Sequence, residues 1–188
     1  MPRIPITLIE MHEEVEGARS VIPEEEIDKL ALNLNKVVMY SNALSAYVNY
    51  VNMISKGVDI CRDVKRSKWK ILTLSEALER AAETLKRLVE SVESVDKWIE
   101  NVLNKHKDSC KNCESYKKVV RASELWNEWK GKELCDGILK TTKESVAELT
   151  NEVMGCRQKL GDFGLLERLL NLFQRDAHQR KGNASKAT

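Results

Sequence analysis

Residues 37–55 read VVMYSNALSAYVNYVNMIS and hold no Asp, Glu, Lys or Arg, in a chain that is 32% charged. About six charges would be expected in a window of this size, so the gap needs a physical cause. Asn42, Asn49 and Asn52, with three tyrosines and three serines, argue against a membrane span, because each amide would need a partner in hydrocarbon. A helix accounts for the stretch better. Ile27, Leu30, Leu34, Val37, Ser41, Leu44, Val48, Val51, Ser55 and Val58 step by three and four residues, the spacing of a heptad seam. Tyr40, Tyr47 and Ile54 flank one side of the seam, Ala31, Val38 and Ser45 flank the other, and Met39, Ala46 and Met53 fall opposite it. A helix apolar around most of its circumference is surrounded by protein. One small bundle covers roughly two-thirds of a helix, so the remainder predicts an oligomer or a partner protein. The alternative is a central helix wrapped wholly by its own chain.

Working outward, 188 residues suffice for one domain with a real core. Pro2, Pro5 and Pro23 all lie near the N-terminus, and no Val/Ile/Thr-rich alternating segment reads as a strand. A net charge of +2 is too balanced for a nucleic-acid coat or a polybasic membrane anchor. The charge is nevertheless uneven. Residues 1–28 hold eight acids against Arg3 and Arg19, whereas Lys56–Lys70 carries six bases against Asp59 and Asp63. Such asymmetry either aligns copies head to tail or decorates solvated faces.

Ile4–Glu16 is a short amphipathic stretch, with Ile6, Ile9 and Val15 expected on its apolar side. Gly17 to Ile22 reads as a link. Pro23 followed by Glu24, Glu25 and Glu26 is a helix start, since proline fits the first turn and acids meet the positive helix end. This first long helix is expected to run to about Ser67, with a turn over Trp69–Leu74. The capping-box spacing of Thr73-Leu-Ser-Glu76 would open the second helix. Leu78, Ala81, Leu85, Leu88, Val92, Val95, Ile99, Val102 and His106 form its seam. A second turn is expected over Lys105–Glu114. The third helix starts near Ser115, is interrupted at Gly131, resumes its spacing through Cys135, Leu139, Thr142, Val146 and Leu149, and stops at Gly161. Leu165–Gln179 reads as a compact amphipathic helix, and Lys181–Thr188 as a disordered tail.

Short links make neighbouring helices antiparallel. The fold expected is therefore all-α: an elongated antiparallel three-helix bundle or coiled coil over residues 23–161. An N-terminal arm (1–22), a C-terminal helix (162–180) and a tail (181–188) complete it.

The sharpest chemical constellation is His106, Cys110 and Cys113. Offsets of four and seven put them on one helix face, and His/Cys sets of this spacing bind zinc, the one candidate cofactor here. A fourth ligand is not obvious: Cys135 is far along the chain, and Asp108 and Glu114 are less typical. The CxxC pair could instead be redox-active or simply lie in a turn. Counting along antiparallel helices places Cys61 and Cys135 at similar heights, where they could touch or bridge under oxidising conditions. Five cysteines leave an odd thiol, which favours a reduced compartment or an intermolecular bond.

His12, His106 and His178 are widely separated, with no triad spacing, no GxGxxG and no phosphate-binding loop, so no enzyme is expected. Lys117, Lys118, Arg121, Trp126, Trp129, Lys130 and Lys132 could hold nucleic acid, but Glu124, Glu128 and Glu133 lie among them. Residues 1–11 carry one base and an apolar run broken by Pro5, which is not a secretory leader. Taken as complete, the chain is expected inside the cell, in the cytoplasm; a processed form would allow a surface or virion location. The sequon at Asn183 bears only on a secretory route.

The function expected is non-enzymatic: a structural or interaction protein that self-associates or grips a protein partner along the uncharged helix face. Met39, Tyr40, Tyr47 and Met53 are the contact residues expected. A zinc- or nucleic-acid-binding regulator built on the His106/Cys110/Cys113 turn, and a surface or virion structural protein, are the alternatives.

Overall fold

The structure is a computed structural model that describes residues 4–56, 64–107 and 113–155. Every element among them is helical: α1 (Ile6–Glu16), α2 (Glu24–Lys56), α3 (Val64–His106), α4 (Glu114–Trp129), a π-helical stretch (Lys130–Leu139) and α5 (Lys140–Gly155). Met1–Asn42 with Arg87–Gly137 form one compact unit, and Ala43–Lys86 with Ile138–Thr188 form another.

The first unit is built on a heavy apolar core. Ile27, Leu30, Leu34 and Val37 of α2 are buried, as are Leu88, Val95, Trp98, Ile99 and Val102 of α3 and Val119, Ala122, Leu125, Trp126 and Trp129 of α4. Polar groups tie these helices at defined heights. Trp98 Nε1 donates to the Glu26 carbonyl at 2.9 Å, so its indole is both packed and satisfied. Trp126 Nε1 and Lys130 Nζ both donate to Asp96 Oδ1 at 2.7 Å. Helix α1 packs on α4.

The α1 face is a correction. Ile6 and Ile9 are exposed, while Leu8, Met11 and Val15 are buried. The buried set continues through Ala18 and Ile22 in the link, stepping by three and four residues. That longer series, not the pair of isoleucines at the helix start, decides which side faces the core.

In the second unit, Leu44, Val48 and Val51 of α2 are buried, along with a lighter set. Ala77, Leu78, Ala81, Ala82 and Leu85 of α3 are buried, with Leu139, Val146 and Leu149. Two buried hydroxyls here have defined partners. Thr142 Oγ1 donates to the Ile138 carbonyl at 2.7 Å, and Asn52 Nδ2 donates to Ser145 Oγ at 3.0 Å.

The turn expected over Trp69–Leu74 does not exist, because α3 is helical from Val64 to His106. No Gly or Pro falls in that span. Nothing there breaks helix propagation, and the Thr73/Glu76 spacing is also that of an ordinary polar pair within a helix.

At Gly131 the helix changes its winding rather than stopping. Trp129, Leu134 and Leu139 are the buried residues there, five apart. In an α-helix five residues are about 1.4 turns and would scatter these side chains; the wider π winding brings them nearer to one face. The seam position expected for Cys135 is therefore taken by Leu134, and Cys135 is only half-buried. The C-terminal helix and tail expected over residues 162–188 lie outside the described residues.

Candidate functional site

The seam of α2 turns inward as its spacing requires. Ile27, Leu30, Leu34, Val37, Ser41, Leu44, Val48 and Val51 are all buried, whereas Ser55 and Val58 lie outside the residues whose side chains are described. The opposite side of the same helix is uncovered. Leu32 is 57% exposed, Met39 53%, Tyr50 40% and Met53 65%, with Ala46 also exposed. Leu32, Met39, Ala46 and Met53 are seven residues apart in succession, so they form a line of their own along the helix. Asn35, Lys36 and Asn49 share this side, and Lys36 is the last charge on it before Lys56.

Of the four contact residues read from the sequence, Met39 and Met53 stand on this outer line. Tyr40 and Tyr47 are half-buried and flank the inner seam. Leu32 and Tyr50 complete the exposed set and were missed. Leu32 precedes Met39 by the same seven residues but lies outside the charge-free run.

At the start of α4, Cys113 is disulfide-bonded. Cys135 is a half-buried thiol and not half of a disulfide, so the bridge to Cys61 considered from the sequence is not formed. His106 is half-buried at the end of α3, and Cys110 lies outside the described residues, as does Asp108. Zinc takes a thiolate, which a disulfide sulfur is not. Among the described residues no group of three or more His, Cys, Asp or Glu is placed to hold a metal ion.

Trp126, Trp129, Lys118, Arg121, Lys130 and Lys132 around α4 are engaged with their own chain. Trp126 and Trp129 are each 1% exposed and stack at 5.3 Å between ring centroids, so neither presents a face to a base. Lys118 Nζ reaches the Gly17 carbonyl at 3.5 Å, Arg121 pairs with Glu124, Lys132 with Glu128, and Lys130 with Asp96. Among the described residues no helix is long and apolar enough to cross a membrane.

No protein-family model, curated protein or solved structure matches this chain.

Proposed function

We propose that the protein is a non-enzymatic helical interaction module that associates through the outer face of α2. The exposed heptad line Leu32, Met39, Ala46, Met53 carries this reading. Isolated apolar residues on a surface need no explanation, but a row of them along a helix face that carries Lys36 alone among charges from Leu32 to Met53 does. The four largest exposed side chains on it offer on the order of 400 Å², against the ~800 Å² per partner of a standard interface. Asparagines and the stems of flanking residues would supply the rest.

The reading extends to an antiparallel three-helix arrangement of the long helices. Ser20 meets Ser115 at 3.0 Å and Asn52 meets Ser145 at 3.0 Å, sequence offsets of 95 and 93 residues. Contacts of Trp98 with Glu26 and of Trp126 with Asp96 support α3 running antiparallel to its neighbours.

A second reading, a surface or secreted protein, draws on one observation. Cys113 sits in a disulfide, and such bonds persist in oxidising compartments. The two readings are compatible, because an assembly face serves in either location.

Light scattering across a concentration series tests the proposal. The expected mass rises from 21.5 kDa toward twice that value as concentration increases through the micromolar range. A constant 21.5 kDa at every concentration would remove self-association.

A further inference from the structure

We infer that the outer face of α1 is a docking surface for a basic amphipathic helix of a partner protein. This stands apart from the α2 reading and holds whether or not copies of the chain associate.

The face lies within one compact unit. Leu8, Met11 and Val15 are buried, and α1 packs on α4. The opposite side carries Ile6, Ile9, Glu10 and Glu13, spaced by three and four residues and therefore on one face. Ile6 is 73% exposed and Ile9 42%, and Ile4, just ahead of the helix, is 54% exposed. An exposed apolar first turn is followed by an acidic second half.

Those acids oppose their own helix. Helix α1 has no acid in its first turn and no base in its last. Glu13, Glu14 and Glu16 instead crowd the end where the helix dipole is negative. Glu10 precedes Glu13 and Glu14 by three and four residues, a spacing at which like charges repel. Glu16 is approached by His12 at 3.9 Å and Arg19 at 3.5 Å, and Lys118 Nζ lies 3.5 Å from the Gly17 carbonyl. Glu10, Glu13 and Glu14 have no ion-pair partner among the described residues. Local rules broken in this way, beside isoleucines left in water, mark a surface that an occupant completes.

The chemistry selects that occupant. Phosphate backbones and anionic lipid surfaces carry the same sign as this face and are repelled. A second α1 would set carboxylates on carboxylates. Nor do these carboxylates suit a metal: among the described residues no three His, Cys, Asp or Glu are grouped to hold one. What fits is an apolar stripe bordered by Lys or Arg, with leucines over Ile6 and Ile9 and cations over Glu10 and Glu13.

Peptide binding to the full chain tests this. The probe is a fluorescent Leu/Lys amphipathic peptide of about 15 residues, and its controls are the scrambled sequence and a Leu/Glu counterpart. Anisotropy should show micromolar binding of the probe and at least about tenfold weaker binding of both controls. Ile6→Ser with Ile9→Ser, and separately Glu10→Lys with Glu13→Lys, should each weaken the probe at least about tenfold. The lysine pair should also raise the melting temperature, because it relieves the charges that oppose the helix. Met39→Glu with Met53→Glu, on the α2 face, should leave the probe's affinity unchanged. No binding by the parent chain, undiminished binding by both α1 variants, loss only in the α2 variant, or a lower melting temperature with the lysine pair overturns the proposal. So does a gain of about tenfold in the probe's affinity on Arg168→Glu with Arg175→Glu, which would make the chain's own residues 165–179 the occupant.

Discussion

Replacing Met39 and Met53 together by glutamate is expected to return the dimer to monomers while leaving the helical fold intact. Each methionine loses roughly 1.5–3 kcal/mol of apolar burial at the interface, and a carboxylate pressed into an uncharged contact must shed its water without a partner. Each substitution occurs in both copies. A loss of at least ~3 kcal/mol, hence a dissociation constant raised 100-fold or more, is a conservative expectation. The same side chains are 53% and 65% exposed in the single chain, so unfolding free energy of the monomer should move little. Light scattering and urea denaturation of the same sample read both quantities. Unchanged mass would contradict the interface; a monomer that no longer folds cooperatively would contradict the exposure.

Trp126→Ala is the substitution expected to cost the fold most, about 3–5 kcal/mol by urea or thermal unfolding. Its ring is 1% exposed, stacks on Trp129 and lies beneath Lys130, whose Nζ is 5.8 Å from the ring centroid. Removing it leaves a cavity where α3 and α4 meet and strands Asp96 with one fewer donor. The indole nitrogen can be weighed separately. Trp126→Phe forfeits the 2.7 Å bond to Asp96 and should lose about 1 kcal/mol for that bond alone. At Trp129 the buried Nε1 has no hydrogen-bond partner among the described residues, so Trp129→Phe loses no such bond. Equal costs for the two Phe variants would contradict the role given to Asp96.

The inward half of α2 was legible because a three-and-four spacing sustained from Ile27 to Val51 admits only one buried face, and all eight of those positions are buried. In α3 the same spacing holds for Leu78, Ala81, Leu85, Leu88, Val95, Ile99 and Val102, which are buried, while Val92 and His106 of the expected seam are only half-buried. What was not legible had local causes. Thr73 and Glu76 fit both a helix start and a helix interior, and only the absence of any breaker between Val64 and His106 decides between them. In α1, two isoleucines near the start outweighed a longer series that runs past the helix end. The change of winding after Trp129 shifts the buried position from Cys135 to Leu134, and a fixed three-and-four count cannot anticipate a five. Of the candidate site, the uncharged run exposed Met39 and Met53 to inspection, but the boundary drawn at Val37 cut off Leu32. Tyr40 and Tyr47 were grouped with the methionines by chemistry, although their angular positions lie beside the seam rather than opposite it.

Oxidation of the methionines bears most directly on whether the outer face of α2 is a contact between copies. Mild peroxide treatment followed by peptide mass analysis reads sulfoxide formation at Met39 and Met53 one residue at a time, with Met11, buried at 0% exposure, as an internal reference. On raising the protein concentration through the dimerisation range, both rates are expected to fall several-fold while that of Met11 stays low throughout. Rates at Met39 and Met53 that are high and independent of concentration would mean that this face stays in water, contradicting an interface there.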